Sequence, residues 1–282
     1  HEVSSGTMYG YTYSVGKWNE ESRIESPAIN DNDLFGASLA IVSDIQFVVG
    51  APFGNELKKD CGTLYSFMKT EKGWLNNQQL NSLLPYENGL FGCAISYSDK
   101  KLLVGAMQES VDSTQSGAAY IFELDNNQKW KNGIRIIPNE PVIHDYFGMA
   151  VSLNKQIAVI GAPKRENAYH KGDMGCADVF VYDGVSWRFS EKIIPDEGNN
   201  DDHFAMAIAS DNSSLVFGSR FDDNNSTNDG SIYFYDTQDF VSNQLISLPQ
   251  NFSSLKIIPN PFHNETTITY NLGESGNIKI EI

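Results

Sequence analysis

A calcium loop needs oxygen ligands at alternating positions, so that one tight turn surrounds the ion. In Asp222-Asp223-Asn224-Asn225-Ser226-Thr227-Asn228-Asp229, the residues Asp222, Asn224 and Ser226 alternate and Asp229 is placed to close the set. The stretch has no glycine at the turn, and serine is a poor fifth-position ligand. A hydrated acidic loop is therefore the competing reading, and calcium is the single cofactor the residues suggest. Asp31-Asn32-Asp33 is a weaker cluster of the same kind. Asp33, Asp145 and Asp202 each stand two residues before an aromatic residue (Phe35, Phe147, Phe204). Such an aspartate accepts backbone N–H bonds in a turn, and its recurrence favours structure, because a catalytic acid is needed only once. The histidines His1, His144, His170, His203 and His263 form no HExxH and no close pair. No serine lies in a nucleophile elbow, and nothing singles out two carboxylates for glycoside hydrolysis. Cys61, Cys93 and Cys176 form no CxxC and read as small buried apolar residues. No catalytic residue is assigned.

The elements that must carry these residues are written repeatedly along the chain. FGASLAIVS…FVVGAP…GTLYSF starts at Phe35, FGCAIS…LLVGAM…GAAYIF at Phe91, FGMAVS…AVIGAP…GCADVF at Phe147 and FAMAIAS…LVFGSR…GSIYFY at Phe204. The anchor aromatics are 56, 56 and 57 residues apart, and Trp18, Trp74, Trp130 and Trp187 keep the same steps. Two markers with one period, joined by the glycines Gly50, Gly105, Gly161 and Gly218, define a repeat architecture. Residues 1–30 hold Gly6 and Trp18, each 56 before its counterpart, and read as the second half of a further repeat in a fragment whose N-terminus is missing. The predicted repeats are 1–30 (partial), 31–86, 87–142, 143–199 and 200–248.

Each full repeat predicts four short strands. The first, FGASLAIVS, alternates Leu39 and Ile41 against Ala40. The second, IQFVVGAP, is continuously apolar, as in a strand covered on both faces, and its proline ends the ladder. The third, GTLYSF, alternates, and the fourth follows the tryptophan. Between the second and third strands lie the loops 53–61, 107–116, 164–174 and 221–229, which vary while their frames do not. One such sheet cannot bury both its faces, so radial stacking solves the problem. The expected fold is all-β: a β-propeller of four-stranded blades. The tryptophans and the repeat tyrosines Tyr65, Tyr120 and Tyr233 are expected to pack between blades.

The formal net charge of −16 over 282 residues argues against nucleic acid, whose phosphates demand Lys and Arg. No stretch has the ~20 apolar residues of a membrane span. From about residue 249 the pattern changes to SLKIIPNPFHNETTITYNLGESGNIKIEI, with strands expected at Thr266–Leu272 and Asn277–Ile282. Residues 249–282 therefore read as a separate, truncated small β-sandwich-like module.

The FG…VVGAP…GxxYxF frame resembles the FG-GAP repeat of the integrin α-subunit N-terminal propeller and of many bacterial extracellular proteins. The resemblance covers residues 1 to about 248 and implies seven blades in the intact protein. The tail, with KIIPNPF and then TTITYNL, resembles the C-terminal sorting domain of the type IX secretion system of Bacteroidota. That implies export through the outer membrane, a secreted or outer-surface location, a signal peptide in the missing N-terminus, and the type IX machinery as a partner. The integrin resemblance brings calcium loops with it, and the Asp222–Asp229 stretch departs from their pattern.

The expected function is non-enzymatic ligand binding or adhesion toward an extracellular protein or glycan, through the four variable loops. Two alternatives remain: part of a secreted polysaccharide or protein hydrolase, with its catalytic region upstream or formed by the propeller, and a structural spacer.

Overall fold

The computed structural model describes residues 6–28, 32–166, 172–195, 198–223, 228–237, 254–258 and 267–271. Among them there are strands and turns and no helix. The chain divides into two compact units, His1–Leu153 and Asn154–Ile282.

The half repeat forms the hairpin β1 (Thr7–Ser14) and β2 (Lys17–Glu25). The repeat at Phe35 gives β3 (Ser38–Ser43), β4 (Gln46–Ala51), β5 (Thr63–Thr70) and β6 (Gly73–Leu80), paired in that order. The next gives β7 (Phe91–Ser98), β8 (Lys101–Ala106), β9 (Ala118–Glu123) and the three-residue β10 (Ile134–Ile136). The third gives β11 (Ala150–Leu153), β12 (Ile157–Ala162), β13 (Cys176–Tyr182) and β14 (Trp187–Ile193). The fourth gives β15 (Ala207–Ser210), β16 (Ser214–Ser219) and β17 (Ser231–Asp236), and its sheet continues through β18 (Ser254–Ile258) and β19 (Thr267–Asn271). All the recorded pairings within these sheets are antiparallel. Four-stranded antiparallel sheets in sequence order are the blades of a β-propeller. The fold class expected from the sequence is therefore observed.

The apolar second strand is buried because both of its faces meet a neighbour. Val48 lies in one core cluster with Leu64, Phe91, Val104 and Tyr120. Phe47 and Val49, on the other face of the same strand, lie in a second cluster with Ile24, Phe35, Tyr65 and Phe67. Residues of β12 and β13 meet Phe204, Leu215, Phe217 and Tyr233 in the same way. Each cluster thus sits between successive sheets. Aromatic anchors fill it: Phe35 is 5.9 Å from Tyr65, Phe91 is 5.4 Å from Tyr120, and Phe204 is 5.2 Å from Tyr233, ring centre to centre. In three sheets the pairing of the third and fourth strands shifts after the fourth residue beyond the repeat glycine, at Gly10/Tyr11, Ser66/Phe67 and Val179/Phe180, where the partner strand carries one extra residue, Glu21, Asn77 and Ser190. An inserted residue of this kind raises the local twist of a sheet.

One detail was left open by the sequence and one differs from its expectation. On β3 the small residue faces in: Ala40 is buried, whereas Leu39 and Ile41 are exposed. Alternation fixes which residues share a face but not which face meets the core. The tryptophans are also unequal. Trp130 is 4% exposed and donates from Nε1 to Ser66 Oγ at 3.3 Å, but Trp18 is 68% exposed. Trp18 stacks on Tyr13 of its own hairpin at 5.3 Å. Trp130 is covered because Ser66 of the preceding sheet and Tyr97 of its own sheet both reach it.

The expected boundary at 248/249 and the strand at Asn277–Ile282 lie outside the described residues. Within the tail, β18 pairs with β17 and β19 pairs with β18.

Candidate ligand-binding loops

Each variable loop is pinned at its base by two backbone hydrogen bonds that recur in every repeat. The first closes a turn after the second strand: Gly54 N to Ala51 O (2.9 Å), Glu109 N to Ala106 O (3.0 Å), Arg165 N to Ala162 O (3.1 Å) and Asp222 N to Ser219 O (3.4 Å). The second ties the glycine before the third strand to the same turn. Gly62, Gly117, Gly175 and Gly230 donate to the carbonyls of Gly54, Glu109, Arg165 and Asp222 at 3.0–3.1 Å. A third bond joins the first three loops to the next anchor aromatic: Phe91 N to Cys61 O, Phe147 N to Ser116 O and Phe204 N to Met174 O. These bonds use only main-chain groups, so side chains in the loops are free to change.

Beneath the loops lies a carboxylate-to-tyrosine contact. Tyr120 donates to Glu109 Oε1 at 2.5 Å, Tyr233 to Asp222 Oδ2 at 2.5 Å and Tyr65 to Glu56 Oε1 at 3.3 Å. In the third repeat Asp178 takes the tyrosine's place and Arg165 the acid's. The second repeat has the fullest network. Arg135 Nε donates to Glu109 Oε1 (2.8 Å), its terminal nitrogen to Ser110 O (2.6 Å), and Ser82 Oγ to Glu109 Oε2 (2.8 Å). Burial pushes the Glu109 carboxyl above its ordinary value, and the hydrogen bonds from Tyr120, Ser82 and Arg135 pull it back only in part. Burial also raises the Tyr65, Tyr120 and Tyr233 hydroxyls, each aided by its acid neighbour. All three hold their protons at neutral pH and act as donors.

The turn aspartates Asp33, Asp145 and Asp202 are buried. Asp202 Oδ2 accepts the Asn199 N–H at 2.6 Å, the turn role expected of it, and Asp33 Oδ1 accepts from Asn55 Nδ2 at 3.3 Å. Of the calcium candidates, Asn224 and Ser226 lie outside the described residues. Asp222 is fully buried and Asp229 is half-buried. Asp222 Oδ1 is buried and has no hydrogen-bond partner.

The fold brings together one group that the sequence did not reveal. Ligand atoms of Asp173, Asp201 and His203 lie within 4.8 Å of one another. Thirty residues separate Asp173 from His203, but the His203 N–H donates to Asp173 O at 3.1 Å. The equivalent main-chain bond runs from Leu90 to Asp60 in the first full repeat, and such a bond leaves no mark in the sequence. Lys164 Nζ stands 3.5 Å from the Asp173 oxygen that also faces His203 Nε2. A cation of the chain itself thus balances this carboxylate. Burial lowers the His203 pKa, so the ring is neutral at pH 7.

The three cysteines are free thiols. Cys61 and Cys176 are buried, and Cys93 Sγ donates to Gly148 O at 3.3 Å. Burial of the sulfur pushes the Cys93 thiol up to about 11. Because the thiolate is the reactive form, a disulfide-exchange reagent at pH 8 is expected to leave the native protein unlabelled and to count three thiols after denaturation. Rapid labelling of Cys93 in the native state would contradict its packing.

Residues 87–122, 130–180 and 187–235 match the FG-GAP repeat. The FG-GAP segments end inside the third strands β9, β13 and β17 and so include the glycine-tied loops of all three repeats. Residues 31–86 lie outside the match and form the same four-stranded sheet. No curated protein matches the chain. FG-GAP repeats together with these sheets fit a β-propeller and suggest a domain of the binding or adhesion type.

Proposed function

We propose that this chain is a non-enzymatic recognition module, displayed outside the cell, that contacts an extracellular protein or glycan through the loops 53–61, 107–116, 164–174 and 221–229. One observation carries the reading: the loop bases repeat their main-chain bonds while the side chains they hold differ in every repeat. Scaffold constancy with local variation is how binding surfaces are built on rigid frames. FG-GAP repeats are typical of extracellular domains, and no helix among the described residues is long and apolar enough to cross a membrane. The tail sequence PNPF followed by TTITYNL supports export by the type IX route, with the tail as the address read by that machinery.

The test is binding of the immobilised chain to glycan and matrix-protein arrays, repeated with residues 55–59 replaced by glycine and serine. Loss of binding at unchanged melting temperature supports the loops as the contact surface. Binding that survives replacement of every loop, or turnover of a polysaccharide or peptide by the chain alone, overturns the reading. Fusing residues 249–282 to a reporter in a type IX-competent bacterium tests the address: the reporter should reach the medium or outer surface.

For calcium, melting curves in chelator and in excess calcium are expected to coincide, because Tyr233 holds Asp222 Oδ2 and the side chain is fully buried. A ligand bound only to the folded state must raise its stability, so a rise in calcium that Asp222→Asn abolishes would place an ion at Asp222–Asp229.

A further inference from the structure

The three core clusters between successive sheets are built alike. One sheet offers a leading face of small and aliphatic side chains, as Ala40, Val48 and Leu64 do, and the next offers a receiving face of aromatics, as Phe91, Tyr120 and Phe122 do. Met8 and Ile24 lead toward Phe35, Tyr65 and Phe67 in the same way, and Val159 and Val179 toward Phe204, Phe217 and Tyr233. Among the described residues, one face of each kind stays open. On the hairpin, Tyr9 and Tyr11 hold the positions of Tyr65 and Phe67 relative to the repeat glycine. Tyr65 and Phe67 are buried, whereas Tyr9, Tyr11, Tyr13 and Trp18 are exposed. Tyr13 pairs across the hairpin with Trp18, so the four rings share a receiving face, and Met8 and Ile24 lie on the other side. On the fourth sheet, Ala209, Val216 and Ile232 hold the positions of Ala40, Val48 and Leu64. Those counterparts are buried, whereas Val216 and Ile232 are half-buried and Ala209 is exposed. Val216 pairs with Ala209 on one side and Phe234 on the other, which places all of them on one leading face. The second strand shows the difference plainly: β4 and β12 are buried throughout, and β16 alternates between half-buried and buried.

We infer that these two faces bind each other between copies of the chain, the leading face of the fourth sheet of one copy covering the tyrosine face of the hairpin of the next. The occupant is a second copy because the contact continues an interface that the chain builds between its own sheets. Val216 and Ile232 offer Tyr9 and Tyr11 what Val48 and Leu64 offer Tyr120 and Phe122. Tyrosine and tryptophan are also the side chains that dominate binding energy at protein interfaces, and a contiguous exposed patch of them marks a contact surface. The contact joins unlike surfaces, so each added copy leaves one face of each kind open, and association runs past the dimer. It is independent of what the loops bind.

The test is sedimentation of the full chain over a range of concentrations, with light scattering for the mass. The mass of the parent should rise with concentration beyond that of a dimer. Trp18→Glu closes the tyrosine face and Ala209→Arg closes the leading face. Both positions are exposed, so both variants should melt like the parent when dilute. Each variant alone should stay a monomer at every concentration. Their equimolar mixture should form a dimer and nothing larger, because the first variant keeps its leading face and the second keeps its hairpin face. Tyr11→Lys and Ala207→Arg, also at exposed positions, take their place if either variant does not fold. A parent that is monomeric throughout overturns the proposal. Self-association of either variant alone also overturns it, since it would mean contact between like faces, and so does a mixture that stays monomeric.

Discussion

Gly105→Ala is expected to cost more than about 3 kcal/mol and to lower the melting temperature by roughly 10 °C or more, whereas Gly218→Ala should be neutral or mildly stabilising. The two glycines occupy the same place in their repeats and end the same strand. A Cβ on Gly105 would lie 1.8 Å from the carbonyl oxygen of Gly148 in the following repeat, and 2.9 Å from its carbon. Those are backbone atoms, so relief requires one segment to move against the other, not a rotamer change. The Sγ of Cys93 bonds the same carbonyl, so the shift would also disturb a buried thiol. A Cβ on Gly218 meets Ala207 Cβ at 3.4 Å, an ordinary contact. There alanine only narrows the unfolded ensemble. Urea melts of the two variants check the contrast; equal destabilisation would show that strand glycine itself, not the close approach, is what the repeat needs.

Arg135→Met should cost about 3–5 kcal/mol, because it leaves the Glu109 carboxylate buried beside neutral donors alone. Adding Glu109→Gln should recover most of that loss. The pH dependence gives a second readout. The folded Glu109 pKa is raised above its unfolded value of about 4.3. Its contribution is therefore fully present below that unfolded value and declines as pH rises through the folded one. Arg135→Met removes a neighbour that lowers this pKa, so the decline should steepen and extend to higher pH. In Glu109→Gln the decline should vanish. Denaturant unfolding between pH 4 and 8 on the parent, the single variants and the double variant measures it. An unchanged pH profile in Arg135→Met would mean that Ser82 and Tyr120 alone set the Glu109 proton affinity.

Much of the fold was legible because a strand buried on both faces must be continuously apolar. IQFVVGAP, KLLVGAM and IAVIGAP announce themselves as second strands, and the glycines that follow them mark the approach of a neighbour. The loops were legible as the stretches where repetition stops. Three features were hidden for physical reasons. The outward turn of Leu39 and Ile41 depends on which face meets the next sheet, which a period of two leaves open. The meeting of Asp173 with His203 comes from main-chain bonds that leave no side-chain signature. The pairing of β18 with β17 joins to the fourth sheet a stretch whose sequence reads as part of the tail.

The close contacts of the second-strand glycines have a consequence for how the molecule opens. Gly50 abuts Gly92 O, Gly105 abuts Gly148 O and Gly161 abuts Ala205 O, each reaching one repeat forward; among the described residues Gly218 meets Ala207 of its own sheet alone. A sheet held to its neighbour by such contacts opens less readily than one without them. Amide hydrogen exchange should therefore run as a gradient, slowest in β8 and β9 and progressively faster through β16 and β17. The chain would then fray toward its C-terminal end long before its middle exchanges.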